Sequence, residues 1–321
     1  MPRRLPGKAP AHDTRSVTGF RQLPQGNEVF LDHHGHFVPD MDAASAALTR
    51  LGFRLTPYTE HSLTIDPDLP PQPSGTANRC IMLRESYIEV LSAVGDAPMA
   101  RQLRDAIARY TGLHLLAFTA ADAAAEHARL SDLGFALQPL VHLSRAAEGE
   151  SLRFSVVRLD PGQAMKEGRI QFLTHETPDL LWRKELLLHP NRVVAMREVV
   201  LASADPDEAA LRFGRYLGRP ANPAPGGWHI ALARGGLTIL SAPALEKSLP
   251  GIVIPALPFI AASTLISDDI AATAAYLQTV DIAFIRCAPG VLRAEVLPAL
   301  GSTMIFMERG GRAPWLDECP G

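Results

Sequence analysis

Three imidazoles crowd into one short stretch near the start of this chain, Leu31-Asp32-His33-His34-Gly35-His36-Phe37-Val38-Pro39-Asp40-Met41-Asp42. At neutral pH imidazole is a proton carrier or a metal ligand. A degraded copy follows at Leu113 to Asp122, and laying Phe37 on Phe118 sets His33 on His114. Further on, Tyr87-Ile88-Glu89-Val90-Leu91 matches Arg169-Ile170-Gln171-Phe172-Leu173, which sets Gln171 on Glu89. In a strand alternate side chains share a face, so His33 and Gly35 point one way and His34 and His36 the other. Glu89 lies in an apolar strand, where an unpaired carboxylate is costly. It needs a metal, a proton or a guanidinium such as Arg79 or Arg169.

The elements that must hold these residues recur four times, and such repeats decide the architecture. After Asp42, Ala43, Ala44, Ala47, Leu48 and Leu51 have helical spacing and Gly52 stops the helix. Strands are expected at Phe53 to Pro57, Arg79 to Leu83 and Tyr87 to Leu91. The Pro-rich Asp66 to Pro73 reads as a loop, and Gly75-Thr76-Ala77-Asn78 as a turn. A second unit runs from Leu113, with a helix over Ala123 to Leu133 and strands over Leu152 to Leu159 and Arg169 to Leu173. A third opens at Glu198 to Ser203, with a helix starting at Asp205-Pro206. A fourth opens at Ala261 to Ile266 behind an Asp268-Asp269 cap. The expected fold is α+β, four βαβββ modules forming two half-open mixed-sheet barrels with a concave face for a ligand. Residues 1–27 read as a loose leader, 28–192 as a first paired barrel carrying the site, and 193–321 as a degenerate second barrel with a short tail.

Composition narrows the class. Of 321 residues, 47% are hydrophobic and 20% charged, as in a globular protein with ample core. Net charge −3 and dispersed basic residues argue against nucleic acid, and no apolar run is long enough to span a bilayer. Three cysteines (Cys80, Cys287, Cys319), odd in number and far apart, fit a reducing, cytoplasmic setting. There is no phosphate-binding loop, no Cys-x-x-Cys and no nucleophile elbow.

Leu31-Asp32-His33 through His36-Phe37-Val38, then His61, Gly75-Thr76-Ala77-Asn78, Tyr87-Ile88-Glu89, and the run from Thr177-Pro178 through Trp182 to His189-Pro190-Asn191, resemble the vicinal oxygen chelate superfamily, and within it the glyoxalase-like family. The likeness covers Leu31 to about Val200. It implies metal ligands on the first and last strands of each paired unit, which fall here on His33, Glu89, His114 and Gln171. Two imidazoles, a carboxylate and an amide oxygen suit Zn, Fe(II), Ni, Co or Mn and leave room for substrate. Gln171 departs from the glutamate that many active members carry, and weakens both metal binding and a second-unit base. Corresponding positions of the second half are Glu198, Thr238, Ala261 and Ile305, which make no metal site.

The other candidates carry plainer readings too. His34 and His36 suit polar packing, and a lone strand histidine is usually a hydrogen-bonded structural residue. His61, Asn78 and Arg79 are expected at the rim of a substrate pocket, or in ordinary turn chemistry. His189 and Asn191 either reach that pocket or order the turn between barrels. The implied activity is metal-dependent lyase or isomerase proton transfer on a small substrate chelated through neighbouring oxygens, with Glu89 as ligand or base. The alternatives are an Fe(II) extradiol-type dioxygenase and a metal-free small-molecule binding or resistance protein. A homodimer fits any of the three.

Overall fold

Four aspartates start four equivalent helices. Asp40 accepts from the amides of Asp42 and Ala43 at the head of one helix, and Asp122, Asp205 and Asp269 cap the corresponding three. Each such cap is worth about 1 kcal/mol. The computed structural model describes residues 20–63, 72–147, 150–163 and 165–316. The first unit is β1 (Phe30–Phe37), α1 (Met41–Arg50), β2 (Thr59–Leu63), β3 (Gln72–Met82) and β4 (Tyr87–Ala93). A linking helix, α2 (Pro98–Arg109), leads to β5 (Gly112–Thr119), α3 (Ala123–Asp132), β6 (Val141–Ala147), β7 (Glu150–Arg158) and β8 (Arg169–His175). After the single turn α4 (Pro178–Leu181) come β9 (Val193–Ser203), α5 (Pro206–Leu217), β10 (Asn222–Ala224), β11 (Gly227–Ala231) and β12 (Gly236–Ser241). The last unit follows α6 (Ala242–Ser248). It is β13 (Phe259–Ser267), α7 (Ile270–Thr279), β14 (Phe284–Ala288), β15 (Val291–Ala294) and β16 (Thr303–Glu308).

In every unit the first strand lies parallel to the last: β1 to β4, β5 to β8, β9 to β12 and β13 to β16. Units then join through antiparallel first strands, β1 with β5 and β9 with β13. One further pairing, Ile260 with Leu113, links the two halves into an open mixed sheet. Four βαβββ modules in two half-open barrels is therefore the observed architecture. Helix-side faces merge into one apolar core around Leu48, Phe118, Phe172 and Phe213. The concave faces hold separate clusters, Phe37, Leu91 and Leu115 in the first half and Val200, Leu240, Ile305 and Trp315 in the second.

Several local expectations give way to tertiary contacts. Phe53 to Pro57 is irregular, touching β3 through the Thr56 amide on the Cys80 carbonyl at 2.8 Å, and regular pairing with β3 begins at Thr59. Gly75 to Asn78 is not a turn but part of β3. Gly75 (φ +74°) lets α2 start against that strand, because a Cβ there would meet those of Ala97 and Ala100 at 3.1 Å. Helix α2 itself escapes the repeat reading. It buries Ala100 and Leu103 over the first hollow, and the spacing of those residues behind Pro98 was the signal for it. The supposed leader and tail are also partly built in. The Gln22 amide donates to the Arg84 carbonyl at 2.6 Å, and Trp315 is wholly buried in the second concave face. Most of the Asp66 to Pro73 loop, and Cys319, lie outside the described residues; Cys80 and Cys287 are in no disulfide among the described residues. No helix among the described residues is long and apolar enough to cross a membrane.

His34 and His36 turn away from His33 and are fully buried. Burial, with the neighbouring imidazoles, holds His34 well below its ordinary value. Burial likewise takes His36 down to about 4, against the stabilising Leu300 carbonyl 3.2 Å from its Nδ1.

Two outcomes follow from this packing. The unfolded chain takes up protons on these imidazoles near pH 6.5 while the folded chain resists, so stability should be whole above that pH and fall as pH drops toward 4. His36 alone contributes roughly 3 kcal/mol of that loss, and His36→Gln should flatten the slope of urea-unfolding free energy against pH. Trp315→Ala should lower the unfolding free energy by about 3–5 kcal/mol, whereas a dispensable tail residue would change it little.

Candidate functional site

The pairing of β1 with β5 is interrupted twice, between Leu31 and His33 on one strand and between Leu113 and Leu115 on the other. Asp32 and His114 are the extra residues. An inserted residue breaks the alternation of faces and re-aims its side chain. Asp32 consequently lies beside His33 instead of behind it. The Nδ1–H of His33 donates to Asp32 Oδ2 at 2.7 Å, and the Nε2–H of His175 donates to Oδ1 at 2.8 Å. Burial would raise the Asp32 carboxyl, but the imidazoles of His175 and His33 outweigh it and hold the group well below the usual carboxylate range.

The register corrects the sequence overlay by one residue. Gly35 stands beside Glu89, and Ala117 beside Gln171, so Leu115 is the counterpart of His33, and His114 that of Asp32. His114 does not share a hollow with His33. Its ring is buried and stacks on Tyr110 with centroids 4.0 Å apart, and its Nε2–H donates to the Tyr110 carbonyl at 2.7 Å. Burial takes it down to about 4. It lines a neighbouring cavity behind Phe37.

The four positions at the centre of the first concave face are thus His33, Glu89, Leu115 and Gln171, and all line one hollow of about 140 Å³. His33 Nε2 faces Glu89 Oε2 at 3.8 Å, and the Asn78 amide donates to Glu89 Oε1 at 2.6 Å. The His33 ring is stacked on Tyr87, centroids 4.2 Å apart. Gln171 Oε1 is buried with no hydrogen-bond partner among the described residues. His61 reaches the rim, its Nδ1 3.1 Å from the Thr76 hydroxyl. Leu103 of α2 packs over Leu91 and Leu115, and Trp182 with Leu187 closes in near Tyr87.

Of the other expected pocket residues, Asn78 lines the hollow and Arg79 does not, because Asn78 and Cys80 take the inward positions of β3 and Arg79 alternates outward. His189 and Asn191 lie in the joint between halves. His189 Nδ1 accepts from the Arg54 amide and its Nε2–H donates to the Met82 carbonyl, while the Asn191 amide donates to the Leu51 carbonyl. Asp32, His175 and Arg158 are groups the residue order did not assign to the site: Asp32 needs the bulge, His175 meets it from β8, and Arg158 comes beside Gln171 when β7 pairs with β8, where Arg169 shares the face of Gln171.

In the second half the same construction gives Glu198, Thr238, Ala262 and Ile305, with Ala261 as the inserted residue instead of a ring position. The Thr238 hydroxyl donates to Glu198 at 2.6 Å, and apolar packing that includes Trp315 occupies this concave face.

A divalent ion in the first hollow would meet His33 Nε2, the Glu89 carboxylate and Gln171 Oε1. Leu115 removes the second imidazole, Asn78 already engages Glu89, and the cationic side chains of Arg158 and Arg169 line the same space. The residues present do not make the expected two-histidine, one-carboxylate centre, and among the described residues no cluster of three His, Cys, Asp or Glu could hold a metal.

Paired βαβββ units with a hollow at their shared strands define a protein of the vicinal oxygen chelate superfamily. Residues 31–217 match the model of the glyoxalase-like domain, and the chain belongs to that family. No curated protein sequence matches it. A hypothetical protein from Staphylococcus aureus is similar over 88% of this chain and 100% of its own, at 10% identity and TM-score 0.61. A mutant of 4-hydroxymandelate synthase from Streptomyces coelicolor is similar over 88% and 93%, at 15% identity and TM-score 0.57. A catechol 2,3-dioxygenase is similar over 88% and 89%, at 14% identity and TM-score 0.50. At these identities the likeness establishes the fold.

Leu115→His should supply the missing imidazole. In calorimetric titrations with Zn²⁺ or Ni²⁺ the variant should bind one ion stoichiometrically and the unaltered chain should not. Tight stoichiometric uptake by the unaltered chain would show that His33, Glu89 and Gln171 suffice.

Proposed function

We propose that this protein is a small-molecule enzyme of glyoxalase-like type that moves a proton at a carbon beside a carbonyl or hydroxyl, using the side chains of the first hollow. The observation that carries this reading is the Asp32–His33 pair aimed at Glu89. With Nδ1–H committed to Asp32, the Nε2 lone pair of His33 faces the hollow. Buried Asp32 fixes that tautomer and stabilises the imidazolium formed when Nε2 takes a proton. Asn78 orients Glu89, which stands close enough to His33 to serve as the second proton-handling group. Gln171 Oε1, buried and unpaired, is placed to accept a hydrogen bond from a substrate hydroxyl.

Lyase or isomerase chemistry fits this set better than ring cleavage, because an Fe(II) facial triad needs the second histidine that Leu115 replaces. Residues 28–192 would then carry the chemistry and 193–321 the supporting barrel. A hollow of about 140 Å³ confines the substrate to a small molecule.

The test is exchange of carbon-bound hydrogen in D2O, followed by NMR for small 2-oxo and 2-hydroxy compounds. His33→Ala and Glu89→Gln should each slow exchange on the order of 10²–10⁴-fold, Glu89→Gln with the thermal transition preserved and His33→Ala with a lowered one, because it strips a partner from buried Asp32. Asp32→Asn should impair it by misdirecting the imidazole. If compounds bind but the unaltered protein exchanges nothing, the hollow is a binding site and not a catalytic one.

A further inference from the structure

Two guanidiniums stand on one wall of the hollow with no ion-pair partner among the described residues. Arg158 closes β7 and Arg169 opens β8, and both line the hollow beside Gln171. Neither makes an ion pair among the described residues, and Arg158 Nε is buried with no hydrogen-bond partner. The Arg169 guanidinium lies against the Phe37 ring, 5.4 Å from its centroid. Burial, then the proximity of Arg158, pushes Arg169 down to about 10, so it remains charged at neutral pH.

The Glu89 charge acts on Arg169 through space but forms no ion pair with either guanidinium, and its oxygens also serve Asn78 and face His33. The reverse side of the same wall is cationic as well. A second cavity of about 550 Å³ shares Arg158 and Arg169 with the hollow and adds Arg109 and Lys166, with no Asp or Glu among the described residues lining it. Holding two desolvated like charges together is costly unless something brings the opposite charge. The planar fork of arginine matches the paired oxygens of a carboxylate or phosphate.

We infer that the hollow takes a small organic oxyanion, its carboxylate or phosphate held between Arg158 and Arg169 and its reactive carbon turned toward His33 and Glu89. The second clause rests on the proton-transfer reading; the anion subsite does not.

The experiment uses the full chain, with binding followed by calorimetry and thermal shift. The probes are three- to six-carbon 2-oxo and 2-hydroxy carboxylates against their methyl esters, and glycerol 3-phosphate and dihydroxyacetone phosphate against glycerol and dihydroxyacetone. Members of one anionic series should bind and their neutral counterparts should not, which also separates a carboxylate from a phosphate ligand. Arg158→Met and Arg169→Met should each weaken binding about tenfold or more, and Arg169→Lys by less. The ligand-free midpoint of each methionine variant should hold or rise, because an uncompensated charge is removed.

Neutral counterparts binding as tightly as anions, neither series binding, or methionine variants binding undiminished would each overturn the inference. Anion binding that depends on the arginines, without hydrogen exchange, would leave this subsite standing and remove only the proton-transfer reading. Exchange confined to neutral compounds would do the reverse.

Discussion

The antiparallel seam between β1 and β5 is the constraint on which the site depends. Each strand contributes one inserted residue there, Asp32 on β1 and His114 on β5, in positions related by the repeat. One insertion brings a carboxylate alongside the imidazole that faces the hollow. The other carries an imidazole away into contact with Tyr110. Two equivalent backbone irregularities, filled with different residues, thus turn one inserted side chain toward the hollow-facing imidazole and the other toward Tyr110.

Asp32 is the most demanding group in that arrangement. A fully buried carboxylate is stable only when its charge is met, and here two imidazoles meet it from different strands, His33 beside it and His175 from β8. Its ionised state in turn fixes the tautomer of His33. The opposite electrostatic situation prevails a short distance away, where Arg158 and Arg169 share a wall without a carboxylate of their own. The hollow therefore has His33 and Glu89 on one part of its lining and the guanidiniums of Arg158 and Arg169 on another.

The second half shows what the same fold does without those demands. Its corresponding positions keep one acid, Glu198, whose Oε2 accepts from the Thr238 hydroxyl and lies 3.6 Å from His229 Nδ1, and the remainder of the concave face is closed by packed side chains including Trp315. The joint between halves, built on His189 and Asn191, is likewise made of backbone hydrogen bonds and belongs to the scaffold.

The four-fold repeat, the aspartate-started helices, the superfamily resemblance and the placing of His33, Glu89 and Gln171 on one face could all be read from residue order, because helix caps and strand patterns are local. Three features could not. An inserted residue leaves no mark in a linear pattern, and only strand register shows that Gly35 matches Ala117, which puts Leu115 in the place that laying Phe37 on Phe118 had given to His114. Helix α2 and buried Trp315 stand outside the repeat and acquire their roles from the faces they cover. The pairing of Asp32 with His33 and of Arg158 with Arg169 joins groups whose meeting depends on strand register, and register is set by the whole sheet at once.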